Sequence, residues 1–208
     1  MQSTGNLMEH TAVRPMKKDA DEMEYTSHYD SPLGGITLAS DGAALVGLWF
    51  DGQKHFADTL APLHEEKPLP AFDAAKRWLD VYFGGHAPGF TPSLHMKTTP
   101  FRRAVWEIML SIPFGGTMTY GEIAQILARK TGRRMSAQAV GGAVGHNAIS
   151  LIVPCHRVIG SNGSLTGYAG GLDRKMRLLA MEGIDMHGIF LPKEAAPGNS
   201  GKNLPSMP

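Results

Sequence analysis

IVPCHRVIGSNGSLTGYAGG, residues 152–171, contains Cys155, the only cysteine of the 208-residue chain. Residues 151–153 form a short apolar run, which predicts a buried strand or a tight extended segment. Pro154 ends this run, because proline fixes its own φ and donates no backbone hydrogen bond. Cys155 is therefore predicted to lie at a rigid corner of the backbone that carries its thiol into a pocket.

The residues next to Cys155 favour a reactive thiol. His156 and Arg157 follow it directly, and a thiolate forms readily only beside an imidazole, a cation or a helix N-terminus. Adjacent side chains of an extended chain point to opposite sides, so His156 is expected to reach the thiol through a turn or one bridging water. The alternative is that Cys155 is an inert, small hydrophobic residue of the core.

The segment DRKMRLLAMEG, residues 173–183, predicts a helix that begins at Asp173 as N-cap and stops at Gly183. Glu182 falls in the last turn of this helix, where the helix dipole favours cations rather than carboxylates. This position indicates another task for Glu182, and orienting the imidazole of His156 is one such task. The alternative is a solvated glutamate on the surface.

Three motifs, PCHRV, GYAGG and KxxLLAxEG, follow one another between Pro154 and Gly183. In this order they resemble the O6-alkylguanine-DNA alkyltransferases, also called methylated-DNA–protein-cysteine methyltransferases, and the similarity runs from about Pro100 to Gly183. The resemblance implies direct DNA repair: Cys155 takes a methyl or alkyl group irreversibly from O6-alkylguanine in a single turnover, after the base leaves the duplex. It implies no metal and no cofactor, and it leaves O4-alkylthymine open as a second substrate.

The resemblance also assigns a proton path. It implies that His156 takes the thiol proton through water, with Glu182 behind the imidazole. Tyr120 and Tyr168 match two tyrosines of the substrate pocket, and Tyr120 is expected to donate to the guanine ring nitrogen as charge leaves O6. Without the resemblance, Tyr120 in the first turn of a helix reads as a core tyrosine.

Backbone groups of the same segment are expected to read the guanine. By the resemblance, the carbonyls of Cys155 and Val158 accept from the exocyclic amine, and the backbone N–H of Ala169 points at O6. Asn147 matches an asparagine that ties a DNA-binding helix to the segment with the reactive cysteine.

The sequence predicts a helix-turn-helix in front of Cys155. Thr119 and Glu122 have capping-box spacing for one helix, and Ser136 can cap the next, residues 137–147, after the basic turn RKTGRR at 129–134. Two short helices joined in this way resemble a DNA-binding unit. The residues predicted to contact DNA are Arg133, Arg134, Ser136, Ala137, Gln138 and Arg157.

The second of these helices has almost no side-chain bulk, because Gly141, Gly142 and Gly145 interrupt it. Each interior glycine costs about 1 kcal/mol relative to alanine, so close approach to another surface must compensate. The pattern leaves core packing and a narrow DNA groove open, and the resemblance implies the minor groove. By the resemblance, Gln138 stands where the family usually has an arginine that fills the gap left by the extruded base. The turn before Gln138 is longer than in several members of the family, so Arg133 or Arg134 can take the place of that arginine.

Charge is distributed unevenly along the chain. Residues 1–91 hold 7 Lys or Arg and 13 Asp or Glu, a net −6, whereas residues 92–187 hold 11 and 5, a net +6. This asymmetry predicts that the second part meets a polyanion, here double-stranded DNA carrying O6-alkylguanine. One cysteine excludes an internal disulfide and a multi-thiolate zinc site. No signal peptide or membrane-length apolar run is evident, so a cytoplasmic monomer without a membrane partner is expected.

The order of turns and periodic segments predicts an α/β protein with two domains between two tails. Residues 23–91 are expected to form a small N-terminal α/β domain, an antiparallel sheet plus one helix. Residues 92–187 are expected to form a mainly helical C-terminal domain with the helix-turn-helix and the active-site loop. Residues 1–22 and 188–208 are predicted to be disordered tails.

Three other functions fit parts of this sequence. Alkyltransferase-like proteins recognise adducts without removing them, but they lack the nucleophile that Cys155 supplies. A cysteine hydrolase using Cys155 and His156 would turn over repeatedly and would need an oxyanion hole, which is not evident. The third alternative is a helix-turn-helix regulator with an inert cysteine.

Overall fold

The structure, a computed structural model, describes residues 23–191. Its N-terminal part is a four-stranded sheet in the order β3-β2-β1-β4. The strands are β1 (Glu24–Ser31), β2 (Gly34–Ser40), β3 (Leu45–Phe50) and β4 (His64–Glu66). The first three strands form the predicted antiparallel meander, but β4 runs parallel to β1. The sheet is therefore mixed. Residues 51–63 are long enough to carry the chain from β3 to the far edge of the sheet, where β4 can pair in parallel with β1.

One helix covers this sheet. Helix α1 (Pro70–Phe83) is the one helix predicted for this part of the chain, and it buries a stripe of residues that consists of Phe72, Ala75, Trp78, Leu79 and Tyr82. Residues at this spacing share one helix face, and burying that face against the sheet supplies most of the stability of a helix in water. The stripe ends at Tyr82, whose hydroxyl reaches beyond the sheet toward the C-terminal part.

The C-terminal part contains helices α2 (Pro100–Leu110), α3 (Tyr120–Thr131), α4 (Ala137–Gly145) and α5 (Leu172–Met181). Strands β5 (Met118–Thr119) and β6 (Val158–Ile159) form a short parallel pair. The predicted caps of α3 and α4 are confirmed, since Thr119 forms a capping box with Glu122 and Ser136 accepts from Ala139. Thr99 caps α2 in the same way by accepting from Arg102. The α/β fold class, with a helical C-terminal part, is confirmed as well.

The two parts share a continuous core through strand β3. All six residues of β3 are buried, and Leu48 at the edge of the sheet exchanges backbone hydrogen bonds of 2.8 and 2.9 Å with Ala148 and Ser150. The segment that leads to Cys155 therefore extends the N-terminal sheet. This pairing satisfies polar backbone groups that an exposed edge strand would present to solvent.

Two local predictions near the cysteine are wrong. Residues 151–153 form a tight turn rather than a strand, with Leu151 at a φ of +68°, a conformation that costs roughly 1–2 kcal/mol for a residue with a Cβ. Helix α5 begins after Gly171, which serves as N-cap at a φ of +89°, rather than at Asp173. Asp173 lies in the first helical turn instead, where a carboxylate complements the helix dipole.

The predicted second tail begins too early. The backbone of Phe190 is hydrogen-bonded to Gly163 and Leu165, so residues 188–191 belong to the ordered part of the chain. The rest of that predicted tail, 192–208, and the predicted tail 1–22 lie outside the described residues. None of the helices found between residues 23 and 191 is long and apolar enough to cross a membrane.

Candidate active site and DNA-binding surface

Cys155 opens a single turn of 3-10 helix, Cys155–Arg157, directly after Pro154. The thiol is 3 % exposed, and its sulfur accepts a hydrogen bond of 3.1 Å from Nδ2 of Asn147. The same amide donates to the carbonyl of Val153 at 2.7 Å and accepts from the N–H of Ile149 at 3.1 Å. One buried asparagine thus holds both the bend and the thiol at its end.

The surroundings of the thiol act on its charge in opposite directions. Burial raises the pKa of Cys155, while the hydrogen bond from Asn147 and the positive charge of Lys175 work against that rise. Lys175 is itself completely buried, and its Nζ donates to the carbonyls of Val158 and Thr166 at 2.6 and 3.0 Å. A thiol in this site needs a base to become a thiolate at neutral pH.

His156 follows Cys155 directly in the 3-10 turn. Its side chain is completely buried, and Nε2 lies 2.6 Å from Oε1 of Glu182. Burial lowers the pKa of His156, so the ring is neutral at rest. Its Nδ1 is also buried and has no hydrogen-bond partner among the described residues. This nitrogen is therefore the one that remains able to accept a proton.

Glu182 is the C-cap residue of α5 and is buried, not a solvated surface glutamate. Oε1 accepts from His156, from the hydroxyl of Tyr82 at 2.7 Å and from Nη2 of Arg157 at 3.1 Å. Oε2 accepts from Nε of Arg157 at 2.8 Å and from the N–H of Gly115 at 3.1 Å. Burial alone would raise the pKa of Glu182, but the bonds from His156 and Arg157 outweigh it and lower the pKa to about 2.

The prediction that Arg157 contacts DNA is wrong. Its guanidinium is 7 % exposed; it forms a two-point contact with Glu182 and donates through Nη1 to the carbonyl of Ile112 at 2.8 Å. The planar fork of arginine matches a carboxylate in this geometry, and each of its three nitrogens already donates to a protein group inside the fold. Arg157 neutralises Glu182 inside the protein.

Of the two predicted pocket tyrosines, Tyr120 contacts the active-site loop and Tyr168 belongs to it. Tyr120 is the first residue of α3 and donates to the carbonyl of Thr166 at 2.9 Å; burial raises its pKa, so the hydroxyl keeps its proton. Tyr168 is buried with its ring centroid 6.4 Å from that of His156. The hydroxyl of Tyr168 has no partner within residues 23–191.

The backbone groups predicted to read guanine lie in the same region. The carbonyl of Val158 accepts from Lys175, and the carbonyl of Ala169 accepts from the N–H of Lys54 at 3.0 Å. The active-site loop is therefore attached to the N-terminal sheet domain as well as to α5. A cavity of about 280 Å³ opens beside this loop. Its walls include Lys54, His55, Gly141, Gly142, Gly145, His146, Gly167, Tyr168 and Ala169.

The glycines of α4 face this cavity rather than a tightly packed core. A Cβ atom added at Gly142 or Gly145 would meet nothing within 4 Å, and one at Gly141 would come only to 3.8 Å from the ring of Tyr120. Core packing therefore does not explain the glycines. The glycines give α4 a face without side chains beside the active-site loop. Close approach of another molecule to this face therefore explains them better than core packing.

The residues of the predicted helix-turn-helix surface are exposed. Helix α4 is held from behind by Nε1 of Trp106, which donates to the carbonyl of Ala143 at 2.9 Å. The hydroxyl of Ser136 accepts from Ala139 at 3.1 Å as the cap of α4. Exposed at the turn and at the start of α4 are Arg133, Arg134, Ser136, Ala137 and Gln138.

Sequence reasoning missed two residues of this site. Tyr82 lies in the apolar stripe of α1, and a hydroxyl on this largely apolar face was the signal that could have revealed it. Lys175 shares a helix face with Leu178 and Leu179, both completely buried, and a lysine at core spacing was the signal that could have revealed it.

Comparison with known families gives two matches that together span most of the chain. The DNA binding domain of 6-O-methylguanine DNA methyltransferase matches residues 100–184, and the ribonuclease-like domain of the same family matches residues 25–93. Among curated relatives, the methylated-DNA–protein-cysteine methyltransferase of Mycobacterium bovis is 43% identical over 160 residues, 74% of this chain and 92% of that protein. The protein of the same name from Methanosarcina acetivorans is 42% identical over 159 residues, 76% and 98% of the two chains.

Solved structures give the same picture. The crystal structure of Mycobacterium tuberculosis O6-methylguanine methyltransferase matches with a TM-score of 0.65 and 42% identity, over 77% of this chain and 93% of that one. A crystal structure of the Mycobacterium tuberculosis OGT protein in complex with DNA matches with the same score and identity, over 77% and 92% of the two chains.

Proposed function

This chain belongs to the 6-O-methylguanine DNA methyltransferase family, and we propose that it repairs DNA by moving an alkyl group from O6 of guanine to Cys155. The observation that carries the assignment of Cys155 is the arrangement around it. A buried thiol bound by Asn147 is followed in the chain by a neutral imidazole, whose Nε2 is bonded to the ionised Glu182 and whose Nδ1 has no partner among residues 23–191.

The chemistry uses these groups in sequence. Nδ1 of His156 takes the proton of the thiol, through a bridging water, and Glu182 stabilises the imidazolium that forms. The thiolate attacks the alkyl carbon; the S–C bond forms as the C–O6 bond breaks, and the electron pair of the broken bond passes to O6 and the ring. Tyr120 donates a proton to the guanine ring nitrogen and is reprotonated by the proton that His156 released. The products are guanine and a thioether, which no group of the site can reverse, so each molecule acts once.

DNA is bound through the helix-turn-helix. Helix α4 lies in the minor groove with its glycine face toward the bases, and the alkylated guanine leaves the stack to enter the cavity beside Tyr168. Arg133, Arg134 and the capped start of α4 hold the backbone, while the carbonyl of Val158 and the N–H of Ala169 read the base. The substrate is alkylated double-stranded DNA, and the protein acts as a cytoplasmic monomer.

Intact-mass spectrometry tests this function. The purified protein is incubated with a duplex oligonucleotide containing one O6-methylguanine, and with the unmodified duplex as control. The expected result is a gain of one methyl group located on Cys155, at one equivalent per protein molecule. Cys155→Ala should gain nothing. An unchanged mass after exposure to the methylated duplex, or repeated turnover, would overturn the proposal.

A further inference from the structure

Tyr82, from helix α1 of the N-terminal domain, contacts both His156 and Glu182, the buried imidazole and carboxylate of the candidate active site. Its hydroxyl oxygen lies 2.7 Å from Oε1 of Glu182 and 3.1 Å from Nε2 of His156. We propose that Tyr82 is a positioning residue of the alkyl transfer, whose hydroxyl holds the imidazole with its proton on Nε2 and supports the charged ring once it takes the thiol proton. This inference rests on the proposed function.

The positions of the protons among Tyr82, His156 and Glu182 follow from the negative charge of Glu182, which accepts from the other two. The pKa of Glu182 is about 2, so its carboxylate is ionised at neutral pH and can only accept. Nε2 of His156 and the hydroxyl of Tyr82 both lie within bonding distance of Oε1 and must both donate to it. Because the phenol O–H donates its hydrogen bond to Glu182, the phenol oxygen can only accept from Nε2 through a lone pair. Tyr82 and Glu182 together therefore select the tautomer that leaves Nδ1 as the base.

The same lone pair becomes more important when the ring is charged. Formation of a thiolate and an imidazolium increases the positive charge at Nε2–H. The phenol oxygen, which carries a partial negative charge, then stabilises that positive charge. Burial raises the pKa of Tyr82 well above its ordinary value, so the hydroxyl stays protonated throughout the working pH range. The other titratable or charged groups around His156 and Tyr82 are Cys155, Arg157, Tyr168, Lys175 and Glu182.

The ring of Tyr82 is held independently of its hydroxyl. Trp78 stacks on it at 5.1 Å between centroids, and Phe83 and Phe114 meet it edge-on at 5.4 and 6.0 Å. Phenylalanine at position 82 keeps these contacts and removes one oxygen atom. Tyr82→Phe therefore separates the role of the hydroxyl from the role of the ring in packing.

The experiment measures single-turnover methyl transfer from the methylated duplex as a function of pH for wild type and Tyr82→Phe. We expect the variant to be slower by about tenfold at pH 7, because a hydrogen bond to a charging group is lost. Its rate should approach that of wild type as the pH rises, because hydroxide then ionises the thiol without help from His156. Alkylation of Cys155 by iodoacetamide, measured without DNA, should likewise need a higher pH in Tyr82→Phe than in wild type to reach the same rate.

Tyr29→Phe is the matched control. Like Tyr82, Tyr29 donates to a carboxylate, that of Asp80 at 2.9 Å, and its ring contacts Phe83, yet it lies outside the site. The control should leave both pH profiles unchanged. A Tyr82→Phe deficit that is equal at every pH, or is matched by Tyr29→Phe, would show a merely structural role and overturn the inference.

A measurement on the wild type needs no variant. Buried Tyr82 hydroxyl and His156 Nε2 protons should give two slowly exchanging downfield proton resonances joined by a nuclear Overhauser effect, with Nδ1 unprotonated in the nitrogen spectrum. Finding the proton on Nδ1 instead would refute the inference. If wild type gains a methyl group while the Tyr82→Phe profile does not move, the inference fails and the proposed function stands. If wild type gains none, the proposed function fails, and the iodoacetamide profile still decides the role of Tyr82.

Discussion

Nδ2 of Asn147 lies 3.1 Å from Sγ of Cys155, so the residue just beyond the glycine-rich helix α4 is hydrogen-bonded to the thiol itself. The same side chain holds the carbonyl of Val153, one residue before Pro154. The proposed DNA-binding helix and the proposed nucleophile are thus parts of one hydrogen-bonded unit. In the proposed function, an extruded guanine beside α4 would therefore meet a thiol whose position is held by the residue that follows α4.

Replacing Asn147 by alanine should therefore affect both chemistry and folding. The thiol loses the donor that opposes its raised pKa, so methyl transfer should slow at least tenfold at neutral pH, with the deficit shrinking at higher pH. Leaving the N–H of Ile149 unsatisfied should cost about 2 kcal/mol of unfolding free energy. Mass-detected transfer and urea unfolding measure the two effects. Asn162→Ala, which removes only a loop bond to Ser164, is the control; equal rates for the two variants would contradict the role of Asn147.

Glu182 should make stability depend on pH in a defined window. Its pKa falls from 4.5 to about 2 on folding, so the unfolded chain binds more protons between these values and stability falls as the pH drops through them. Glu182→Gln should be less stable than wild type by about 3 kcal/mol at pH 7, because Arg157 is left buried without a charge partner. The difference between the two unfolding free energies should narrow from pH 4.5 to pH 2. Parallel curves across this window would be inconsistent with the assigned pKa.

Gln138→Arg should accelerate repair of duplex DNA. Gln138 is exposed near the start of α4, where a longer, charged side chain can fill the space left by an extruded base and contact phosphates. We expect a severalfold gain with a methylated duplex and little change with a methylated single strand, which has no gap to fill. Single-turnover rates on both substrates measure the effect. No gain on the duplex, or a loss, would count against this role of position 138.

Arg134 and Arg157 should behave differently although both are arginines near the site. Arg134→Ala removes an exposed charge, so the slope of log affinity for DNA against log salt should fall by about 1 while folding is unaffected. Arg157→Gln removes the buried charge and its two-point contact with Glu182, so it should lower the unfolding free energy by about 3 kcal/mol without changing the salt slope. Binding titrations at several salt concentrations and thermal unfolding distinguish the two variants. A salt slope that falls in Arg157→Gln as it does in Arg134→Ala would place Arg157 on the DNA surface.

Signals carried by neighbouring residues were readable from the sequence. The caps at Thr99, Thr119 and Ser136 depend on a side chain and an N–H three residues apart, and such short-range geometry repeats in any fold. The wrong N-cap at Asp173 has the same origin, because glycine and aspartate both start helices and the choice depended on the loop that enters α5. The parallel pairing of β4 could not be read either, because its three exposed residues have no apolar alternation to fix their partner.

Local sequence was enough to predict the nucleophile, its adjacent imidazole and the helix-turn-helix in front of them, because each is defined within a few residues along the chain. The groups that surround the imidazole could be identified only from the folded chain. Tyr82 lies 74 residues before His156, and the burial of Arg157 depends on Glu182, 25 residues further on. The physical reason is that the protonation state of a buried group depends on every charge and dipole within a few ångströms, and those neighbours come together only when the two domains pack.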